Sequence, residues 1–261
     1  LALNGNKRFI PTSTTTSVEY NDPRDVYQKF NGIKDGRSGR MFTLITPAGR
    51  VAADATVEGV RQGATPGQPG AEAGRTGTTV SRFGLGLILG NNTTITSTTP
   101  ASIVAAASAK SGVLMSKAET EFLLAEAALR YPAVVAGAQG HFEAGITASY
   151  SYLGATGATT YITSINAVPK LGWTGSNDNK VEAIMTQKWI ALTGINPEQS
   201  FFDYSRTGFP VTLSATTASK PKPNRLMYPL SEFIANSGNV PKIGTEDVFS
   251  KNQYTPFWNR N

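Results

Sequence analysis

Few residues of this 261-residue chain combine types and spacing that could do chemistry, and what is missing narrows the function classes. There is no Cys and one His, His141, so thiol nucleophiles, disulfides, Cys-ligated zinc or iron–sulfur centres and multi-histidine metal sites are excluded. Gly84-Leu85-Gly86-Leu87-Ile88-Leu89-Gly90 looks superficially like a dinucleotide loop. Its third glycine is one residue late, and no following helix or downstream acid completes the unit, so a strand is the expected reading. Asn177-Asp178-Asn179 matches part of a calcium loop without its Gly and terminal Glu, and helix capping is its expected role. Carboxylates for glycoside hydrolysis exist, yet no spacing places two of them together. None of these patterns assembles an enzyme site, and neither a cofactor nor a metal is expected.

Polymer binding asks for aromatic platforms flanked by amides and carboxylates, because sugar C–H faces stack on rings while hydroxyls need paired hydrogen bonds. Trp173, in Leu171-Gly172-Trp173-Thr174-Gly175-Ser176-Asn177-Asp178, is the leading candidate, with Asn177 and Asp178 beside it. Its glycine neighbours argue for a loop, where a Trp is as often a buried plug as a platform. Tyr161, in Thr159-Thr160-Tyr161, is the second ring candidate. Trp189 falls in a helical stripe and is expected in the core, and Trp258 is expected to anchor the tail.

The formal charge of +6 does not form a nucleic-acid footprint. Residues 1 to 100 carry 11 basic and 7 acidic side chains, and residues 101 to 261 carry 13 and 11, so the excess is dispersed. The densest basic groups, Lys34-Arg37-Arg40 and Lys220-Lys222-Arg225, lie in Gly- or Pro-broken stretches and read as solvated loops. Only 16% of residues are charged, and 31 Thr with 20 Ser must do much of the wetting of the surface. No run approaches the 18 or so apolar residues of a membrane span.

The elements that must position these residues divide the chain in two. Residues 1–100 show almost no helical period and read as a loop-rich segment packed on a helical scaffold, with short strands at Gly39 to Thr46 and Val80 to Leu89. Residues 101–261 read as that scaffold. Ser116-Lys117-Ala118-Glu119 has capping-box spacing and opens a helix whose Ala118, Phe122, Ala125 and Leu129 share a face until Tyr131-Pro132. A second helix, from about Gln139 to Leu153, should pack against it as an antiparallel, tetratricopeptide-like hairpin, with Ala125, Ala128 and Ala144 permitting close approach. A third is expected from about Lys180 to Leu192, ended by Gly194, and a fourth over Pro197 to Tyr204 with Phe201 and Phe202 pointing inward. The last fifty residues read as loop with apolar anchors, among them Leu226, Leu230, Ile234 and Phe257.

Several local patterns coincide, in order, with one family. Asn21-Asp22-Pro23-Arg24, Val113-Leu114-Met115 leading into Glu121 to Ala128, Ile184 to Leu192, Phe202-Asp203-Tyr204-Ser205-Arg206-Thr207-Gly208-Phe209-Pro210, Arg225-Leu226-Met227-Tyr228-Pro229 and Glu232 with Asn236 and Asn239 resemble SusD-like (SusD/RagB) proteins. The resemblance implies a mainly α fold: a SusD-like helical scaffold with a tetratricopeptide-like helix hairpin, long irregular loops and a few short strands. It implies a lipid-anchored, surface-exposed outer-membrane protein of Bacteroidota, acting as the lid of a TonB-dependent SusC-like barrel that imports glycan or peptide, and no enzyme. It also implies that this chain is the carboxy-terminal half of a longer protein whose lipid-bearing Cys lies upstream. Two departures stand out. Residues 51 to 99 match no family motif, and Ser205-Arg206 has one Arg where many members carry two.

Within those motifs the residues read mechanically as scaffold. Arg206 can hold Asp203 or nearby carbonyls through its planar fork, Asp22 before Pro23 can form an Asx-turn that frees Arg24 for a carboxylate, and Glu126 can pair with a cation from a neighbouring helix. Trp189, Arg225 and Tyr228 complete the expected structural set. The rival function is a structural or accessory subunit of an outer-membrane complex, with the Gly/Thr-rich stretch packing on another protein.

Overall fold

The computed structural model describes residues 33, 35–44, 83–92, 99–211 and 223–259. Helices α1 (Ser38–Met41), α2 (Leu85–Leu89) and α3 (Pro100–Ser108) precede a scaffold of α4 (Lys117–Arg130), α5 (Ala138–Leu153), α6 (Ala158–Ile165), α7 (Asn177–Leu192) and α8 (Pro197–Thr207). A short α9 (Leu230–Ala235) and two 3-10 turns, Glu246–Phe249 and Phe257–Asn259, follow. The mainly α expectation therefore holds. The described parts of the expected strands are not strands: among the described residues the only β pairing is one antiparallel bridge between Phe42 and Phe83, and residues 45–46 and 80–82 of those expectations lie outside the described residues.

A short apolar run suits a buried strand or a buried helical turn, and periodicity cannot separate them. Packing decides the matter at Leu85–Leu89. A Cβ on Gly84 would sit 2.5 Å from the Arg40 carbonyl oxygen, and one on Gly86 would sit 2.6 Å from the same atom. Both glycines are the means by which α2 lies directly on the backbone of α1. Met41, Phe42 and Leu87 then meet Leu153, Trp189 and Ile190 in one of two apolar clusters.

The other cluster is built around the α4–α5 hairpin. Ser116 caps α4 by accepting the Glu119 amide at 3.1 Å, as its spacing requires. The return half of the capping box is not made, because Glu119 Oε2 is buried without a partner among the described residues. Phe122 meets Phe142 edge-on, their centroids 6.2 Å apart, and Ala125 and Ile146 are fully buried beside them. At Gly145 the approach is closest, since a Cβ there would lie 2.8 Å from the Phe122 ring. His141, in the first turn of α5, meets Glu121 Oε2 of α4 through Nδ1 at 2.8 Å.

Helix α7 is the axis of the scaffold. Every residue from Glu182 to Leu192 is buried, so its side chains meet protein on all sides rather than along one stripe. It begins three residues earlier than the sequence suggests: Ser176 is the cap, accepting the Asn179 amide at 3.2 Å, and Asn177 and Asp178 form the first turn. Gly194 follows its end at φ +72°, a conformation that favours glycine. Helix α8 runs past Arg206 to a left-handed Gly208, one turn beyond the expected end. Phe202 corrects its expected inward orientation, being 56% exposed. The tail is likewise more open than anticipated, with Leu226, Leu230, Ile234 and Phe257 all exposed while Val248 is buried.

Gly145→Ala should destabilise the fold by about 1–3 kcal/mol, because the added methyl overpacks a filled contact. Thermal denaturation followed by circular dichroism checks this against Gly140→Ala, whose Cβ meets nothing within 4 Å.

Candidate functional site

Three helices bring charged side chains together. Glu126, on the middle of α4, is 6% exposed and receives Arg206 from the last turn of α8 in a fork: Nη1 donates to Oε1 at 2.6 Å and Nη2 to Oε2 at 2.8 Å. Arg130 Nε adds a 2.7 Å bond to Oε1. Arg206 Nη2 also reaches Asp203 Oδ1 at 3.1 Å, and Lys188 Nζ, from buried α7, meets Asp203 Oδ2 at 2.8 Å. Burial alone would raise the Glu126 carboxyl, but hydrogen bonds and charge from Arg206, then Arg130, outweigh it and hold it below the ordinary glutamate value. The Arg206 guanidinium is raised in return, chiefly by its bonds to Glu126. Sequence separation is 80 residues, so this bridge ties the end of α8 to the hairpin.

Above the bridge lies a groove of about 680 Å³, lined by Leu123, Arg130 and Tyr131 from the α4 side and by Gln199, Phe202 and Arg206 from α8. Tyr131 is 64% and Phe202 56% exposed. The groove thus offers rings and guanidinium groups on one surface.

Trp173 sits at a separate place, in the turn before α7. It is half-buried, its ring centroid 5.3 Å from that of Phe142 and the Lys180 ammonium 5.5 Å from its own. Its amide donates to Asn166 Oδ1 at 3.1 Å, and Asn166 Nδ2 donates in turn to Glu143 Oε1 at 2.8 Å. The ring is therefore both plug and partial surface, with exposed Asn177 and Asp178 close by in sequence. Tyr161 is corrected from platform to core: it is 4% exposed, and its hydroxyl accepts from Gln187 Nε2 at 2.9 Å. Trp189 is 8% exposed in the α1–α2–α7 cluster. Arg225 lies over the Tyr228 ring at 4.5 Å and donates through Nη1 to the Tyr254 carbonyl at 2.9 Å. Asp22 and Arg24 lie outside the described residues.

A second polar cluster corrects the expected solvated loop at Arg37 and Arg40. Arg37 is fully buried, and donates to Asp35 through Nε at 2.9 Å and Nη2 at 2.6 Å, and to Gln187 Oε1 at 2.8 Å. Its guanidinium carbon lies 5.1 Å from the Tyr150 centroid and 5.2 Å from that of Tyr161. Burial pulls this guanidinium down, but Asp35 and then the two tyrosines outweigh it and leave it raised. Burial, followed by the charge of Asp35, pushes the Tyr150 phenol up. Arg40 is also engaged, donating to the Leu153 and Gly90 carbonyls at 2.7 and 3.0 Å. The signal in sequence was slight: Asp35-Gly36-Arg37 is a short acid–base pair, and no local period shows that it is buried.

Among the described residues no group of three His, Cys, Asp or Glu side chains is placed to hold a metal ion, and no helix is long and apolar enough to cross a membrane.

A depressed Glu126 contributes stability that is fully present above the ordinary glutamate range and is lost as pH falls through its folded value. Glu126→Gln should therefore cost about 1–3 kcal/mol at pH 7, less than for a fully enclosed pair because both arginines are partly solvated. The gap in melting temperature between wild type and variant should narrow in acid, below about pH 4. Parallel melts from pH 3 to 8 test it, and a constant gap would show that the charge contributes nothing.

The comparisons with known proteins agree with this architecture. A family model described as SusD-like, starch-binding and associating with the outer membrane matches residues 71–229, more than half of the chain. Among solved structures, a SusD homologue from Bacteroides thetaiotaomicron superposes with a TM-score of 0.56 at 24% identity, covering 78% of this chain and 43% of that one. A SusD-like protein from the same organism gives 0.53 at 23% identity, with the same coverage of 78% and 43%. A chitin-binding SusD homologue from Flavobacterium johnsoniae is 31% identical over 46% of this chain and 31% of its own, with a TM-score of 0.41. No curated protein matches by sequence. This chain spans less than half the length of each of these three structures. The two Bacteroides structures share the fold, and the match over residues 71–229 supplies the kinship: the chain belongs to the SusD-like family.

Proposed function

We propose that this chain is the carboxy-terminal part of a surface lipoprotein that captures glycan or peptide and acts as the lid of a TonB-dependent, SusC-like outer-membrane barrel. The observation that carries the reading is the family match over residues 71–229, whose description names starch binding and association with the outer membrane. The scaffold suits that task physically. Binding and release need no covalent step, only a rigid framework that holds polar and aromatic groups ready, and the ion pairs among α4, α7 and α8 supply rigidity. Trp173, with Asn177 and Asp178 beyond it, belongs to the proposed ligand surface, and membrane contact runs through a lipid anchor outside this chain.

A second reading, an accessory subunit that binds protein rather than nutrient, is favoured by one observation. Leu226, Leu230, Ile234 and Phe257 are each more than two-thirds exposed, and apolar side chains in such numbers suit a protein contact.

Mild detergent extraction of native membranes, purification through this protein and mass spectrometry separate the possibilities. A lipidated chain accompanied by a large TonB-dependent barrel is the expected result, and an unlipidated chain without a barrel would reject the lid. Trp173→Ala should weaken oligosaccharide or peptide binding. Because the ring also packs on Phe142, affinity is compared at a temperature where circular dichroism shows the variant folded. Unchanged affinity removes Trp173 from the site.

A further inference from the structure

The groove between α4 and α8 carries an imbalance that its own bonds do not use up. Three cations, Arg130, Lys188 and Arg206, line it against two carboxylates, Glu126 and Asp203. Both Glu126 oxygens are occupied by Arg206, and one also by Arg130. Asp203 accepts a hydrogen bond from Arg206 at Oδ1, and its buried Oδ2 makes no hydrogen bond among the described residues but is ion-paired at 2.8 Å with the ammonium of Lys188, whose side chain is 3% exposed. The charge left over is that of Arg130. Its side chain is 44% exposed and only Nε is engaged, so among the described residues both terminal nitrogens of its fork are without acceptors. Beside it stand Tyr131 and Phe202, rings that are 64% and 56% exposed, and Gln199, which can donate and accept.

A guanidinium edge with free donors matches a planar carboxylate in bidentate fashion, and an open ring matches the C–H face of a sugar. A neutral sugar would use only the rings and the amide, leaving the guanidinium edge to water. We propose that this groove binds a carboxylate-bearing saccharide, a uronate unit, with Arg130 on the carboxylate and Phe202 against the ring. The proposal rests on the binding reading given above and deepens it by naming the ligand class and a site distinct from the Trp173 turn.

The test uses the full-length protein and isothermal titration with three probes: an oligogalacturonate, a neutral oligosaccharide of equal length, and a short Glu-rich peptide. The oligogalacturonate should bind at least tenfold more tightly than the neutral sugar, and added salt should weaken it. Arg130→Gln should lower that affinity by roughly ten- to a hundredfold, the range of a charge-assisted bidentate contact. The Arg206–Glu126 fork remains in this variant, so the fold is kept. Arg130→Lys should recover part of the loss, and Phe202→Gln, at an exposed position, should weaken both sugars. Equal binding of neutral and acidic sugars, or no effect of Arg130→Gln, overturns the proposal and leaves saccharide capture standing. Binding of the acidic peptide without either sugar overturns the ligand class. Binding of none of the three overturns the proposal together with the capture reading, whereas barrel association is decided separately by co-purification.

Discussion

A guanidinium with no access to solvent sits where three helices and a loop converge, and the rest of the described structure is arranged so that it is never unpaired. Taking an arginine out of water costs several kcal/mol unless opposite charge and hydrogen bonds replace the lost hydration. Arg37 meets that demand with Asp35 from its own loop, Gln187 from α7, Ser149 from α5 and the faces of Tyr150 and Tyr161. The Tyr150 hydroxyl also accepts the Gly36 amide at 3.0 Å, so the loop backbone is pinned at the same point. Gln187 is committed on both sides, donating to the Tyr161 hydroxyl while accepting from Arg37. None of these partners can move alone without leaving a buried polar group unsatisfied.

The same principle governs the opposite side of α7 with a different outcome. Lys188 is one residue after Gln187 on a helix enclosed all round, so its ammonium needs a carboxylate, and Asp203 from α8 supplies it. Asp203 and Glu126 then share Arg206, which draws α8 toward the α4–α5 hairpin. Here the network reaches the surface, and its arginines are partly solvated. An enclosed cluster such as that of Arg37 can only hold the fold together, while an open one keeps donors available to a ligand. The position of the groove follows from where the buried polar chain emerges.

Much of the scaffold was legible because its determinants are local. The Ser116 cap, the 3.6-residue apolar period of α4 and α5, the proline and glycine that bound α8, and the ordered family motifs each act within a few residues. The readings that failed depended on remote partners. Leu85–Leu89 became a helix because Gly84 and Gly86 meet the backbone of Arg40, some 45 residues earlier. Tyr161 became core because Gln187 and Arg37 come from elsewhere to meet it, and Phe202 turned outward on a helix whose Arg206 is held by Glu126 of α4 and whose Asp203 is held by Lys188 of α7.

The sequence by itself determined the helical class, the hairpin, the kinship and the exclusion of thiol and multi-histidine chemistry, because composition, capping and periodicity are properties of adjacent residues. The tertiary structure alone decided which charges are buried. It enclosed Arg37, which the sequence places in a solvated loop, and left Arg130 with an open edge. The cost of desolvating a charge depends on what surrounds it in space, and neighbours from positions 35, 149 and 187 have no common signature along the chain.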